Sequence, residues 1–78
     1  MDELKEDEMM PLTMANVGET NVIKKLGGKE ETRRFLENLG FVVGGVVTVI
    51  SEVGGNIIVN VKDSRVAIGK DMANKILV

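Results

Sequence analysis

The strongest constraint on the fold is a pair of glycines between two runs of alternating β-forming residues. Gly54-Gly55 separates residues 46–53 from residues 56–62. Glycine reaches positive φ without strain, as a two-residue hairpin turn requires, so we predict two antiparallel strands that meet at this turn. Side chains of a strand alternate between its faces, and one face of the second strand is wholly aliphatic. The residues on this face are Ile57, Val59 and Val61.

One segment has the pattern of a long helix. Apolar or small residues recur at helical spacing over Lys29–Leu39, which places them on one face. Gly40 follows, and glycine can take the left-handed conformation that ends a helix. The residues assigned to this common face are Thr32, Phe35, Leu36 and Leu39.

Shorter elements fill the rest of the chain. The β-forming run at residues 20–26 predicts a first strand, which Gly27-Gly28 ends. Residues 12–18 are irregular, with room for a helical turn. After a turn at Asp63-Ser64 we expect, in order, a strand at 65–68, a helical turn at 69–74 and a strand at 75–78.

These elements predict a mainly β fold with one α-helix. A chain of 78 residues makes one small domain, and so few strands cannot bury two sheet faces separately. We therefore expect a small β-barrel of about five short strands, with the helix after the first strand. Residues 1–10 hold five acids and one lysine, which predicts a disordered acidic tail. The domain then covers residues 11–78, where nine bases and seven acids leave a charge of +2.

Several residue types are missing, and their absence excludes several functions. The chain has no cysteine, histidine, tryptophan or tyrosine, and only two phenylalanines. It therefore has no disulfide, no thiolate nucleophile and no imidazole ligand. We expect no catalytic residues, no metal site and no cofactor. Because no apolar run approaches the roughly 20 residues that span a bilayer, we expect a cytoplasmic protein without membrane insertion.

Two segments together resemble the FeoA family of ferrous iron transport proteins. The first runs from Gly27-Gly28 through residues 33–44, and the second covers residues 66–78. The resemblance implies an SH3-like barrel that acts in the cytoplasm beside FeoB, the membrane-embedded ferrous iron transporter with a G-protein domain. The same fold forms the C-terminal domain of iron-dependent repressors. Val43 stands where the family usually has proline, so the turn there lacks a fixed φ.

One cluster of charged residues is the candidate partner-binding site. Five bases fall near one end of the predicted barrel, and with so few aromatic rings they fit either a solvated face or a docking surface for an acidic protein better than a nucleic-acid site. Phe41 either fills the mouth of the barrel or forms a partly exposed anchor beside arginines, a composition typical of binding hot spots. The candidate residues are Lys24, Lys25, Lys29, Arg33, Arg34, Glu37 and Phe41.

These observations lead to one functional hypothesis and one alternative. The hypothesis is a non-catalytic accessory protein of ferrous iron uptake, which binds the FeoB-type transporter and modulates transport or GTP turnover. The alternative is a stand-alone metal-responsive regulatory or protein-interaction domain related to the repressor barrel. Carboxylates and methionine thioethers are the only iron-ligand side chains present, so we do not expect a tight Fe²⁺ carrier.

Overall fold

Antiparallel strands dominate the computed structural model, which describes residues 9–78. Most of the predicted acidic tail therefore lies outside the described residues. A short 3-10 helix at Leu12–Met14 comes first, where a helical turn was expected. The elements that follow are β1 (Thr20–Val22), β2 (Lys25–Leu26), α1 (Glu30–Leu39), β3 (Val46–Val53), β4 (Asn56–Val61), β5 (Ser64–Gly69), α2 (Lys70–Ala73) and β6 (Ile76–Leu77).

The strands form two antiparallel sheets. One sheet has four strands in the order β1-β3-β4-β5, and the other pairs β2 with β6. The single strand predicted over residues 20–26 is wrong, because the chain changes sheets at Ile23 and Lys24. Ile23 donates its N–H to the Gly45 carbonyl at 2.9 Å, whereas Lys24 donates to the Leu77 carbonyl at 2.8 Å. The described residues therefore contain six strands, and the mainly β prediction is confirmed.

The two hairpins turn by different backbone geometries. In the β3–β4 turn only the first glycine has positive φ, with Gly54 at 60°. The β4–β5 turn lies at Lys62 and Asp63, one residue before the predicted position, and their φ values are 50° and 63°. Two successive positive φ values are typical of a type I′ turn, which matches the twist of antiparallel strands. Ser64 consequently begins β5.

Helix α1 ends at the predicted residue, begins one residue later than predicted because Lys29 is its N-cap, and has a narrower buried face. Gly40 ends it with φ 112°, as expected of a helix-stopping glycine. Leu36 is fully buried, and Thr32 and Leu39 are partly buried. Phe35 is 48% exposed, so its predicted place on the buried face is wrong. Only one side of this ten-residue helix contacts the core.

The core joins both sheets to α1. Ile57, Val59 and Val61 are buried on the inner face of β4, as the alternation predicts. None of the polar or charged side chains among residues 9–78 is buried. Within the same residues, no helix combines the length and apolar character that a bilayer crossing requires. The other large side chains that are fully buried are Leu12, Ile23, Leu36, Phe41, Val47, Val49 and Ile76.

Candidate protein-interaction surface

The described part of the chain has no arrangement of side chains suited to hold a metal ion. Residues 9–78 contain no cluster of three or more acidic, histidine or cysteine residues that could ligate one. A shallow groove of about 250 Å³ lies beside Val46, Thr48 and Asn60. Asp63 is the one carboxylate on its wall, and Lys62 is the one base.

The basic surface, defined as Lys24, Lys25, Lys29, Arg33 and Arg34, is exposed throughout. Backbone bonds to the neighbouring strand fix its first part, since Lys24 donates to Leu77 and Gly27 donates to the Lys75 carbonyl at 2.7 Å. Its second part lies on α1, where the Arg33 N–H donates to the Lys29 carbonyl at 3.0 Å. The five predicted bases are thus all exposed in the segment of the chain that runs from the end of β1 to the middle of α1.

Lys75 adds a sixth base that the sequence analysis missed. A Cβ atom placed on Gly28 would lie 3.0 Å from Lys75 Cδ and 3.3 Å from Thr32 Cγ2, so the lysine stem packs over this glycine. Gly28 itself has φ 89°. Lys75 is distant in sequence and comes here only because β6 pairs with β2. The lysine stem covers apolar surface while its charge can stay near water, as long cationic side chains commonly do.

Acidic neighbours offset the positive charge on the helical part of the basic surface, but not on the part that precedes the helix. On α1, Glu30, Glu31 and Glu37 outnumber Arg33 and Arg34, and all five are exposed. The Arg34 Nη2 atom lies 3.0 Å from Glu30 Oε2, so these two residues form an i,i+4 ion pair on α1. Within the described residues no ion pair joins Arg33 to Glu37. The positive excess is therefore concentrated before the helix, on residues 24–29 and on Lys75.

Phe41 cannot contact a partner in this fold. It is 0% exposed, and its N–H donates to the Leu36 carbonyl at 2.9 Å. Of its two predicted roles, the exposed anchor is wrong and the filler of the barrel is correct. The exposed aromatic side chain is Phe35, six positions earlier and on the flank of α1. Sequence spacing could not separate the two phenylalanines, because each lies next to apolar residues.

A second surface, which the sequence analysis did not identify, consists of Val22, Val43 and Val46 and is called here the valine surface. Their exposed fractions are 50%, 62% and 52%. Val22 and Val46 are directly paired across β1 and β3. Val43 lies in the turn that bonds to Ile23, where the Gly44 N–H donates to the Ile23 carbonyl at 2.8 Å. The surface therefore lies beside Lys24, the first residue of the basic surface.

The comparison with protein families decides where this chain belongs. The FeoA domain family matches residues 10–78, which is almost the entire described structure. The chain belongs to the FeoA family. A curated relative from Methanocaldococcus jannaschii, named for "Fe(2+) transport protein A", is 34% identical over 70 residues. The match covers 90% of this chain and 85% of the relative.

Solved structures give the same family and the same fold. A crystal structure of an iron uptake regulatory protein, FeoA, is similar with a TM-score of 0.82 and 30% identity. It is matched over 90% of this chain and 93% of that one. The zinc complex of Stenotrophomonas maltophilia FeoA, described as an SH3 domain protein, has a TM-score of 0.75, 23% identity and 86% coverage of both chains. The SH3-like fold expected from the FeoA resemblance is thereby confirmed.

The fold is also shared with regulators. A manganese-dependent transcriptional repressor is similar with a TM-score of 0.80 at 20% identity. The match covers 90% of this chain but only 40% of the repressor. The likeness at this identity is one of fold.

Proposed function

We propose that this protein is a cytoplasmic, non-catalytic accessory protein of ferrous iron uptake. It binds the cytoplasmic face or the G-protein domain of an FeoB-type transporter and modulates transport or GTP turnover. The observation that carries the proposal is the FeoA family match over residues 10–78, together with a relative named for Fe²⁺ transport. The exposed basic surface supports it, because clustered bases speed encounter with an acidic partner.

The chemistry of the chain supports binding rather than catalysis. General acid–base and nucleophilic catalysis usually rely on histidine, cysteine or a buried carboxylate with a shifted pKa. The sequence has neither histidine nor cysteine, and no carboxylate among residues 9–78 is buried. Any GTP chemistry in the proposed complex therefore belongs to the transporter.

Charge reversal on the basic surface tests this proposal. In the variant Lys24→Glu/Lys29→Glu, we expect affinity for the transporter in nanodiscs to fall by about tenfold or more, since clustered rim charges steer association. The matched control is Lys62→Glu/Arg65→Glu, which changes two exposed bases in the β4–β5 turn and on β5 by the same net charge. Isothermal titration of both variants and the unaltered chain gives the comparison. Absence of binding by the unaltered chain, or equal losses in the two variants, would contradict the proposal.

The metal-responsive alternative makes a different prediction. It is favoured by the fold match to the manganese-dependent repressor. A sensor needs a saturable site, whereas the described residues offer no cluster of metal-ligating side chains. Titration of the purified chain with Mn²⁺ or Fe²⁺ under anaerobic conditions separates the two functions. Stoichiometric binding at low micromolar metal would establish the alternative.

A further inference from the structure

Strand β1 has an open edge. Ile23 directs both its N–H and its carbonyl toward the Gly44-Gly45 segment that continues into β3. Backbone groups of successive strand residues point to opposite sides, so those of Val22 and Thr20 point away from β3. Among the described residues, none bonds to the backbone of Thr20 or Val22 on that side. The four groups, two N–H and two C=O, form a short template for another strand.

Apolar side chains adjoin this edge. Val22 lies on β1 itself, and Val46 lies directly across from it on β3. Both are at least half exposed, as is Val43 on the neighbouring turn. The opposite edge of the same sheet is different, because β5 exposes Arg65 and Ala67 and partly buries Val66. The β1 edge therefore combines unpaired backbone groups with apolar contact area, which is the composition that strand addition uses.

Charge and size indicate the kind of partner. Lys24 lies two residues after the edge and is exposed, and the rest of the basic surface continues from it, whereas the exposed Glu19 directly precedes the edge at Thr20. A strand that adds to β1 therefore binds more favourably if it carries carboxylates at the end that lies near Lys24. Three valines and a three-residue strand offer at most a few hundred Å², well below the roughly 800 Å² per partner of a stable dimer. The dimensions fit an extended segment better than a second folded copy.

We propose that β1 accepts an extended, acidic segment of the partner protein as an additional strand, with its apolar side chains on the valine surface. The segment pairs through the backbone of Thr20 and Val22, and its carboxylates lie near Lys24. The proposal rests on the proposed function only for the identity of the partner, which is the transporter. It is independent of which effect the complex has on transport.

Two probes test the edge directly in the full chain labelled with ¹⁵N. The first is a synthetic peptide of alternating glutamate and valine, and the second has lysine in place of glutamate. We expect the Glu-Val peptide to slow hydrogen exchange at the amides of Thr20 and Val22, and the Lys-Val peptide to do so much less. The proposal is overturned if the Glu-Val peptide leaves these amides exchanging freely. If these amides are already protected in the free chain, the edge is assigned to the chain's own N-terminus. If they become protected only as the concentration of the free chain rises, the edge is assigned to a second copy.

A matched pair of variants connects the edge to the transporter. In Val22→Thr/Val46→Thr, strand propensity is kept while the apolar surface is lost, and we expect affinity for the transporter in nanodiscs to fall by about tenfold. The control is Val53→Thr, since Val53 is 58% exposed at the far end of β3. If the transporter binds both variants equally well, the edge proposal fails and the proposed function stands. If it does not bind the unaltered chain, the proposed function fails, and the peptide experiment alone decides the edge.

Discussion

Two groups of valines in this protein have the same chemistry and opposite surroundings. Val47, Val49, Val59 and Val61 are at most 2% exposed, whereas those of the valine surface are at least half exposed. Val46 and Val47 are neighbours in β3, yet one belongs to each group. Residue type therefore does not decide between stability and recognition in so small a barrel. The side of the strand from which a side chain projects decides this, so valines that project outward remain available to bind a partner.

The largest expected effect contrasts the two phenylalanines. Phe41→Ala should lower the free energy of unfolding by about 3–5 kcal/mol, because it opens a cavity in the core. Phe35→Ala should lower it by less than about 1 kcal/mol, since this side chain is half exposed. Urea unfolding followed by circular dichroism measures both. If Phe41→Ala does not fold, Phe41→Leu should still lose more stability than Phe35→Ala, by a smaller margin. Equal losses of stability at the two positions would contradict the assignment of Phe41 to the core and Phe35 to the surface.

An identical substitution at two valines isolates the direction of the side chain. Val49→Thr buries a hydroxyl group in an apolar core and should cost about 2 kcal/mol of stability. Val46→Thr places the same hydroxyl in water and should change stability by no more than about 0.5 kcal/mol. Thermal and urea unfolding of the two variants provide the measurement. A similar cost at both positions would show that Val46 is covered in solution.

The two hairpin turns extend the comparison to the backbone. Gly54→Ala should cost about 1 kcal/mol, because Gly54 has φ 60° and a Cβ atom disfavours that conformation. Lys62→Asn should instead raise stability by about 0.5 kcal/mol, since asparagine tolerates the left-handed conformation better than lysine. Lys62 has φ 50° in the β4–β5 turn. We expect urea unfolding to show a loss of stability for Gly54→Ala and a gain for Lys62→Asn. A loss of stability in Lys62→Asn would contradict this account of the turn.

The smallest effect is expected for an exposed ion pair. Glu30→Gln removes the ion pair with Arg34. The side chains of Glu30 and Arg34 are 68% and 73% exposed. We expect stability to fall by less than about 0.5 kcal/mol, because water and salt screen such pairs. Urea unfolding at low and high salt should show that the loss of stability is smaller at high salt. A loss comparable with that of Val49→Thr would mean that surface charge, and not the valine core, stabilises this domain.

Local sequence patterns determined much of the fold. Alternation over residues 46–62 predicted the β3–β4 hairpin and the buried face of β4, and both are present. Helical spacing and Gly40 predicted α1 and its end. These features depend on neighbouring residues alone, since strand and helix periods and the freedom of glycine act over a few positions. The sequence by itself also shows that histidine and cysteine, the side chains that most often catalyse reactions or bind metals, are absent.

Tertiary structure decided the features that depend on distant residues. The break at Ile23 and Lys24 arises because Lys24 bonds to Leu77, almost at the other end of the chain. The same pairing brings Lys75 to the basic surface. Exposure of Phe35 follows from which side of α1 meets the core, whereas Phe41 is buried because the chain enters the core after the helix ends at Gly40. The open edge of β1 likewise depends on where the two sheets separate. A strand's partners and a side chain's burial are properties of the assembled chain, so local pattern could not supply them.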